Sequence, residues 1–108
     1  MADEGKKRAA HRALVERVLN GVGRSTPEQR ALAFSNTGMS APLQALIGNV
    51  ATTPAQVTDA DFAAARASGF SEDQLFELVI CAAVGESARR YEAGLAALGE
   101  ATSIGEAC

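Results

Sequence analysis

Residues 71–98, SEDQLFELVICAAVGESARRYEAGLAAL, form a segment that must be covered on almost every side, which limits how the rest of the chain can be arranged. The pattern is that of one long helix, entered from a tight corner at Gly69-Phe70 and left at Gly99. Leu75, Phe76, Leu78, Val79, Ile80, Cys81, Ala82, Ala83 and Val84 are interrupted only by Glu77. A helix apolar all round is buried all round, so other elements or other subunits have to enclose its first half. Its second half keeps an apolar stripe at Val84, Ala88, Tyr91, Leu95 and Leu98, with charges elsewhere.

What can enclose it is set by the remaining residues. Alanine supplies much of the apolar fraction of 47%, against four Phe, one Tyr and no Trp. Such alanine-rich, aromatic-poor segments favour close-packed helices over sheets. A chain of 108 residues accommodates one core. The expectation is a single all-α domain over residues 1–108, a small bundle of about five helices with one long C-terminal helix.

The shorter helices are delimited by local signals. The first spans residues 6–19, with Leu14, Val15, Val18, Leu19 and Val22 on one side, and Asn20, Gly21 and Gly23 close it. Thr26-Pro27-Glu28-Gln29 is a capping box with Pro at the first helical position. That helix stops near Gly38, and Ser40-Ala41-Pro42 opens another with Leu43, Leu46, Ile47 and Val50 inward. Thr52-Thr53-Pro54 ends it, because Pro cannot continue a helix interior. Thr58 caps a fourth helix that turns Phe62, Ala63, Ala64 and Ala65 inward, and Ser71-Glu72-Asp73-Gln74 caps the long one. The tail after Gly99 has little periodicity and reads as frayed.

Charge and cysteine usage exclude several classes. Residues 1–30 hold seven Lys/Arg against four Asp/Glu, and residues 31–108 hold three against nine. Only Lys6, Lys7 and Arg8 form a basic run, the mark of a solvated helix start, so neither nucleic acid nor a membrane is an expected partner. No run approaches the roughly 20 apolar residues that span a bilayer. No signal-peptide pattern is present, and Cys81 and Cys108 make a poor disulfide framework, so the expected location is cytoplasmic. A helix-turn-helix skeleton at Ala65, Gly69, Ser71 and Leu75 fails as a DNA reader. Glu72, Asp73 and Glu77 would repel phosphates, and residues 78–84 are too apolar for a water-filled groove.

Residues able to do chemistry are few. His11 lies among Arg8 and Arg12 with no second histidine, and reads as a surface residue; no metal site and no cofactor are expected. Glu77 and Cys81, four apart, share a helix face, but a carboxylate beside a thiol raises its pKa. Glu77 reads first as a paired or water-facing carboxylate and not as a general base; one buried in an apolar helix would have a raised pKa. Arg89 lies roughly 12 Å further along the same line, too far to stabilise a thiolate. Cys81 therefore reads as packing, leaving Cys108 as the thiol that labels. Glu86 with Arg89 and Arg90 forms helix surface pairs, and Gly85 marks a close approach by another backbone or a bulky side chain, with a kink as the alternative.

VTDADFAAARASGFSEDQLFELVICAAVGESARRYEAGLAAL resembles the C-terminal part of the alkylhydroperoxidase D-like, or carboxymuconolactone decarboxylase-like, family. The corner Gly69-Phe70-Ser71 with Glu72-Asp73 and the long apolar helix carry the resemblance. It implies an alkylhydroperoxidase D-like fold and a homo-oligomer. In redox-active members a Cys-x-x-Cys pair with a following His precedes this corner; here residues 39–68 contain neither Cys nor His. The expected function is thus a non-catalytic oligomerisation or partner-binding role with no catalytic residue. The alternative is a small-molecule enzyme or binder, peroxide-reducing or decarboxylase-like, with an unusual site near Glu77, Cys81 and Arg89.

Overall fold

The computed structural model describes the backbone of residues 2–107 and the side chains of residues 5–100. All the regular structure described is helical: α1 (Ala2–Asn20), α2 (Pro27–Ser35), α3 (Ala41–Thr52), α4 (Asp59–Ala67) and α5 (Glu72–Ala107), with one 3₁₀ turn at Pro54–Gln56.

Local chemistry explains most of the boundaries. Three helix starts carry reciprocal capping boxes: Thr26 with Gln29, Thr58 with Asp61, and Ser71 with Gln74. In each, the hydroxyl accepts the third residue's backbone N–H while that residue's side chain accepts the cap's own N–H. Asn36 ends α2 in the left-handed region at φ 57°, its side-chain oxygen accepting from Gln44 Nε2 at 2.8 Å. Gly69, at φ +112°, makes the corner between α4 and α5, a conformation that residues with a Cβ rarely adopt.

Two boundaries differ from the sequence expectation. α1 begins at Ala2 and passes through Gly5, and α5 runs on through Gly99 to Ala107 instead of stopping. One glycine costs a helix interior only about 1 kcal/mol. Gly99 is flanked by Ala96, Ala97, Leu98 and Glu100, all strong helix formers, with no proline to force an exit. Cys108 lies outside the described residues.

The core forms where α2, α3 and α4 meet the first half of α5. It comprises Ala33, Leu43, Leu46, Ile47, Ala65, Leu75, Leu78, Cys81 and Ala82, with Phe62, Phe70 and Val79 packed at its margin. Ala63 and Ala64 are exposed, so α4 presents only Ala65 fully to the core. The first half of α5 is likewise enclosed on one side and not all round within one chain: Phe76 is 67% exposed and Ile80 39%.

Beyond Gly85 the architecture thins. α1 runs antiparallel to α5, since Val18 meets Cys81 and His11 meets Tyr91. Among its described residues α1 has none that is fully buried. The 36 residues of α5, about 54 Å at 1.5 Å per residue, account for most of the 58 Å long axis. The radius of gyration is 16.8 Å, against about 13 Å for a rounded chain of this size.

Candidate functional site

Glu77 is the charged residue inside the apolar run, and a loop occupies it. Its carboxylate accepts from the backbone N–H of Arg24 at 2.6 Å, the N–H of Ser25 at 2.7 Å and the Ser25 hydroxyl at 2.6 Å. Burial pushes its pKa up, but these hydrogen bonds and the nearby Arg30 guanidinium more than offset that and leave it below the ordinary carboxylate value. The raised pKa expected of a carboxylate buried in hydrocarbon does not arise, because the helix delivers this half-buried side chain to a set of donors. A Cβ on Gly23 would lie 2.6 Å from Glu77 Oε1, so a side chain there would displace the carboxylate from its present place.

Arg30 holds the same loop from the other side. It is only 6% exposed, and its Nη1 donates to the carbonyls of Gly21 (2.5 Å) and Leu19 (3.4 Å) while Nη2 donates to that of Ser25 (2.8 Å). Ser25 therefore gives its N–H to an anion and its carbonyl to a cation. Arg30 and Glu77 act through the peptide units between them, with no ion pair within 4 Å. Together they fix the link from α1 to α2. Sequence reasoning missed Arg30, Ser25 and Arg24, whose partners lie up to 53 residues away. A glycine two residues before Ser25 was the only trace.

Cys81 is 1% exposed, and its thiol donates weakly to the Val18 carbonyl at 3.6 Å. Burial, with the Glu77 charge adding to it, pushes its pKa up despite the opposing field of Arg30. A buried, protonated thiol of this kind is a small hydrophobe, not a nucleophile.

Arg89 belongs elsewhere. Its Nη1 donates to the Phe34 carbonyl at 2.6 Å and its Nη2 to Glu86 at 2.9 Å, while Arg90 Nε also reaches Glu86 at 3.1 Å. These cations hold the Glu86 carboxyl below the ordinary value. Arg89 thus satisfies a carbonyl in the last turn of α2, a group that helix geometry leaves without a partner. The same carbonyl sits over Gly85, where any Cβ would overlap the Phe34 backbone. Glu77 and Cys81 share a cavity of about 150 Å³ with Arg17, Val18 and Arg30, and Arg89 is not part of it.

The arrangement can orient backbone, but it offers no activated nucleophile and no free base. Among the described residues no group of three His, Cys, Asp or Glu is placed to hold a metal ion. No described helix is long and apolar enough to cross a membrane. Neither a protein-family model, nor a curated protein, nor a solved structure matches the chain.

Two larger concavities lie away from these residues. A groove of about 340 Å³ between α4 and α5 is flanked by Phe62, Phe76 and Val79 and rimmed by the Arg66–Glu72 ion pair. A cleft of about 580 Å³ lies between α1 and the second half of α5. There His11 is half-buried and its ring lies 4.9 Å from that of Tyr91, so it is not the plain surface residue its neighbours suggested.

Proposed function

We propose that this protein is a non-catalytic helical module that pairs with a second copy of itself through the outer face of α5. The observation that carries the reading is Phe76, a large apolar side chain left 67% exposed on the helix that organises the core. Ile80 follows one turn on at 39% exposure, and fully exposed Val22 lies beside the same cavity as Ile80. The apolar surface runs from Phe62 through Phe76 and Ile80 to Val22.

A second copy suits this surface because a two-fold interface must complement itself. The groove beside Phe76 carries Arg66 together with Asp59 and Glu72 on its rim, both signs on one patch. Burying the exposed two-thirds of Phe76, of roughly 200 Å² in all, stabilises each half of the pair by about 3 kcal/mol. The resemblance of residues 57–98 to a family of homo-oligomers supports the same conclusion, and the engagement of Glu77 by Arg24 and Ser25 and the burial of the Cys81 thiol fit structural roles for both.

Sedimentation equilibrium tests the reading. The wild-type chain should sediment as a dimer at micromolar concentration, and Phe76→Glu as a monomer with an unchanged helical circular dichroism spectrum. A monomeric wild-type protein, or a dimer indifferent to that substitution, overturns it.

A further inference from the structure

The cleft between α1 and α5 divides its chemistry by wall. The α1 wall carries Arg8, His11 and Arg12, at spacings of three and four that set them on one helix face. The floor and the opposite wall carry Phe34, Tyr91 and Leu95, with Glu92 the charged residue among them. At about 580 Å³ the space falls within the range of small-molecule sites, and an apolar body with a few convergent polar groups is their usual construction.

Of the other six arginines four have side chains held by partners, Arg17 and Arg24 being the exceptions. Arg66, Arg89 and Arg90 are paired with carboxylates, and Arg30 is committed to backbone carbonyls. No carboxylate lies within 4 Å of Arg8 or Arg12 among the described residues, although Glu92 lines the same cleft. Among the described lining residues, counting His11 as neutral, two guanidiniums and one carboxylate leave a single formal positive charge, which complements a monoanion rather than a dianion. The lining runs from position 8 to 15 on one helix and from 88 to 96 on the other, a length of roughly 10–12 Å. That accommodates an apolar body of about eight carbons.

We infer that this cleft binds an amphipathic monocarboxylate, with its carboxylate between Arg8 and Arg12 and its hydrocarbon body along Phe34, Tyr91 and Leu95. The bidentate match of guanidinium to carboxylate sets the orientation, and the apolar wall supplies the burial. Neither Phe76 nor Ile80 lines the cleft, so this site is independent of self-association.

His11 and Tyr91 are the only histidine and tyrosine in the chain, so their ring proton resonances report on this cleft without ambiguity. Octanoate, titrated below its micelle-forming range, should shift both sets of resonances saturably. 1-Octanol, with the same body and no charge, should bind at least tenfold more weakly. The double variant Arg8→Ala/Arg12→Ala should bring octanoate down to the affinity of octanol, and Phe76→Glu should leave octanoate binding unchanged. Equal affinity for octanoate and octanol in the wild-type protein overturns the assignment. So do octanoate-induced shifts that leave His11 and Tyr91 unmoved. The wild-type comparison decides even if the double variant loses helicity.

Discussion

Replacing Gly85 with alanine isolates the contact that joins α2 to α5. In an open helix the change stabilises by about 1 kcal/mol, because alanine is the best helix former and glycine nearly the worst. At position 85 the new methyl would overlap the oxygen, carbon and Cα of Phe34, all of them backbone atoms that cannot rotate aside. α2 must move outward, which strains the core and lengthens the bond from Arg89 to the Phe34 carbonyl. Overpacking of this kind costs typically 1–3 kcal/mol, and loss of the charged hydrogen bond adds about 1 kcal/mol at a surface position. After subtracting the propensity gain, Gly85→Ala should destabilise by about 1–3 kcal/mol. For a domain of this size that lowers Tm by roughly 5–20 °C. The controls lie on the same helix: a Cβ at Gly94 or Gly99 meets nothing within 4 Å, so alanine there should stabilise by about 0.5–1 kcal/mol. Urea denaturation of the three variants reads the signs directly. A Gly85→Ala protein as stable as wild type, or one that follows Gly94→Ala upward, refutes the close approach.

Other outcomes follow from the same geometry. Glu77→Gln replaces one carboxylate oxygen by a donating NH2, which leaves at least one donor from Arg24 or Ser25 without an acceptor, and should cost about 1–3 kcal/mol near neutral pH. Because the folded pKa of Glu77 lies below its unfolded value, its contribution is complete above the unfolded carboxylate pKa of about 4.3 and is lost as pH falls through the folded one. The difference between wild type and Glu77→Gln should therefore shrink in acid, and a constant gap from neutral pH down to pH 2 would contradict the clamp. Cys81 has the opposite sign: its folded pKa is raised, so stability is retained below about pH 8.5 and declines as the solution becomes more alkaline. Native Cys81 should react with a thiol reagent no faster than the chain unfolds, as followed by mass spectrometry of the labelled peptide, and rapid modification at neutral pH would remove it from the core.

Most of what depended on neighbours in sequence could be read from the sequence, the run of α5 through Gly99 being the exception. Thr26, Thr58 and Ser71 each find their capping partner three residues on, and Gly69 makes its corner unaided. Gly85 could be read as a close approach or a kink, but not told apart from Gly94 and Gly99, which meet nothing, and its partner, the Phe34 carbonyl, was not legible at all. The expected grouping of Glu77, Cys81 and Arg89 failed at its third member. Helical spacing brings the first two to one face, but the field at each is set by groups from α1, α2 and their link. Nothing local says that a loop 52 residues earlier will turn its N–H groups toward Glu77. The outlying cleft was equally hidden, since it forms only when two helix ends 80 residues apart in sequence lie antiparallel.

The grip of Arg30 and Glu77 on residues 19–25 has a mechanical side. Among its described residues α1 contributes none that is fully buried, so its angle against α5 is governed chiefly at its root, where those two side chains seize the chain. A long lever swung from a short pivot magnifies small adjustments. Altering the pivot by a fraction of an ångström would open or narrow the far end several-fold more, so the bore between the two rods can be retuned without disturbing the packed half of the molecule.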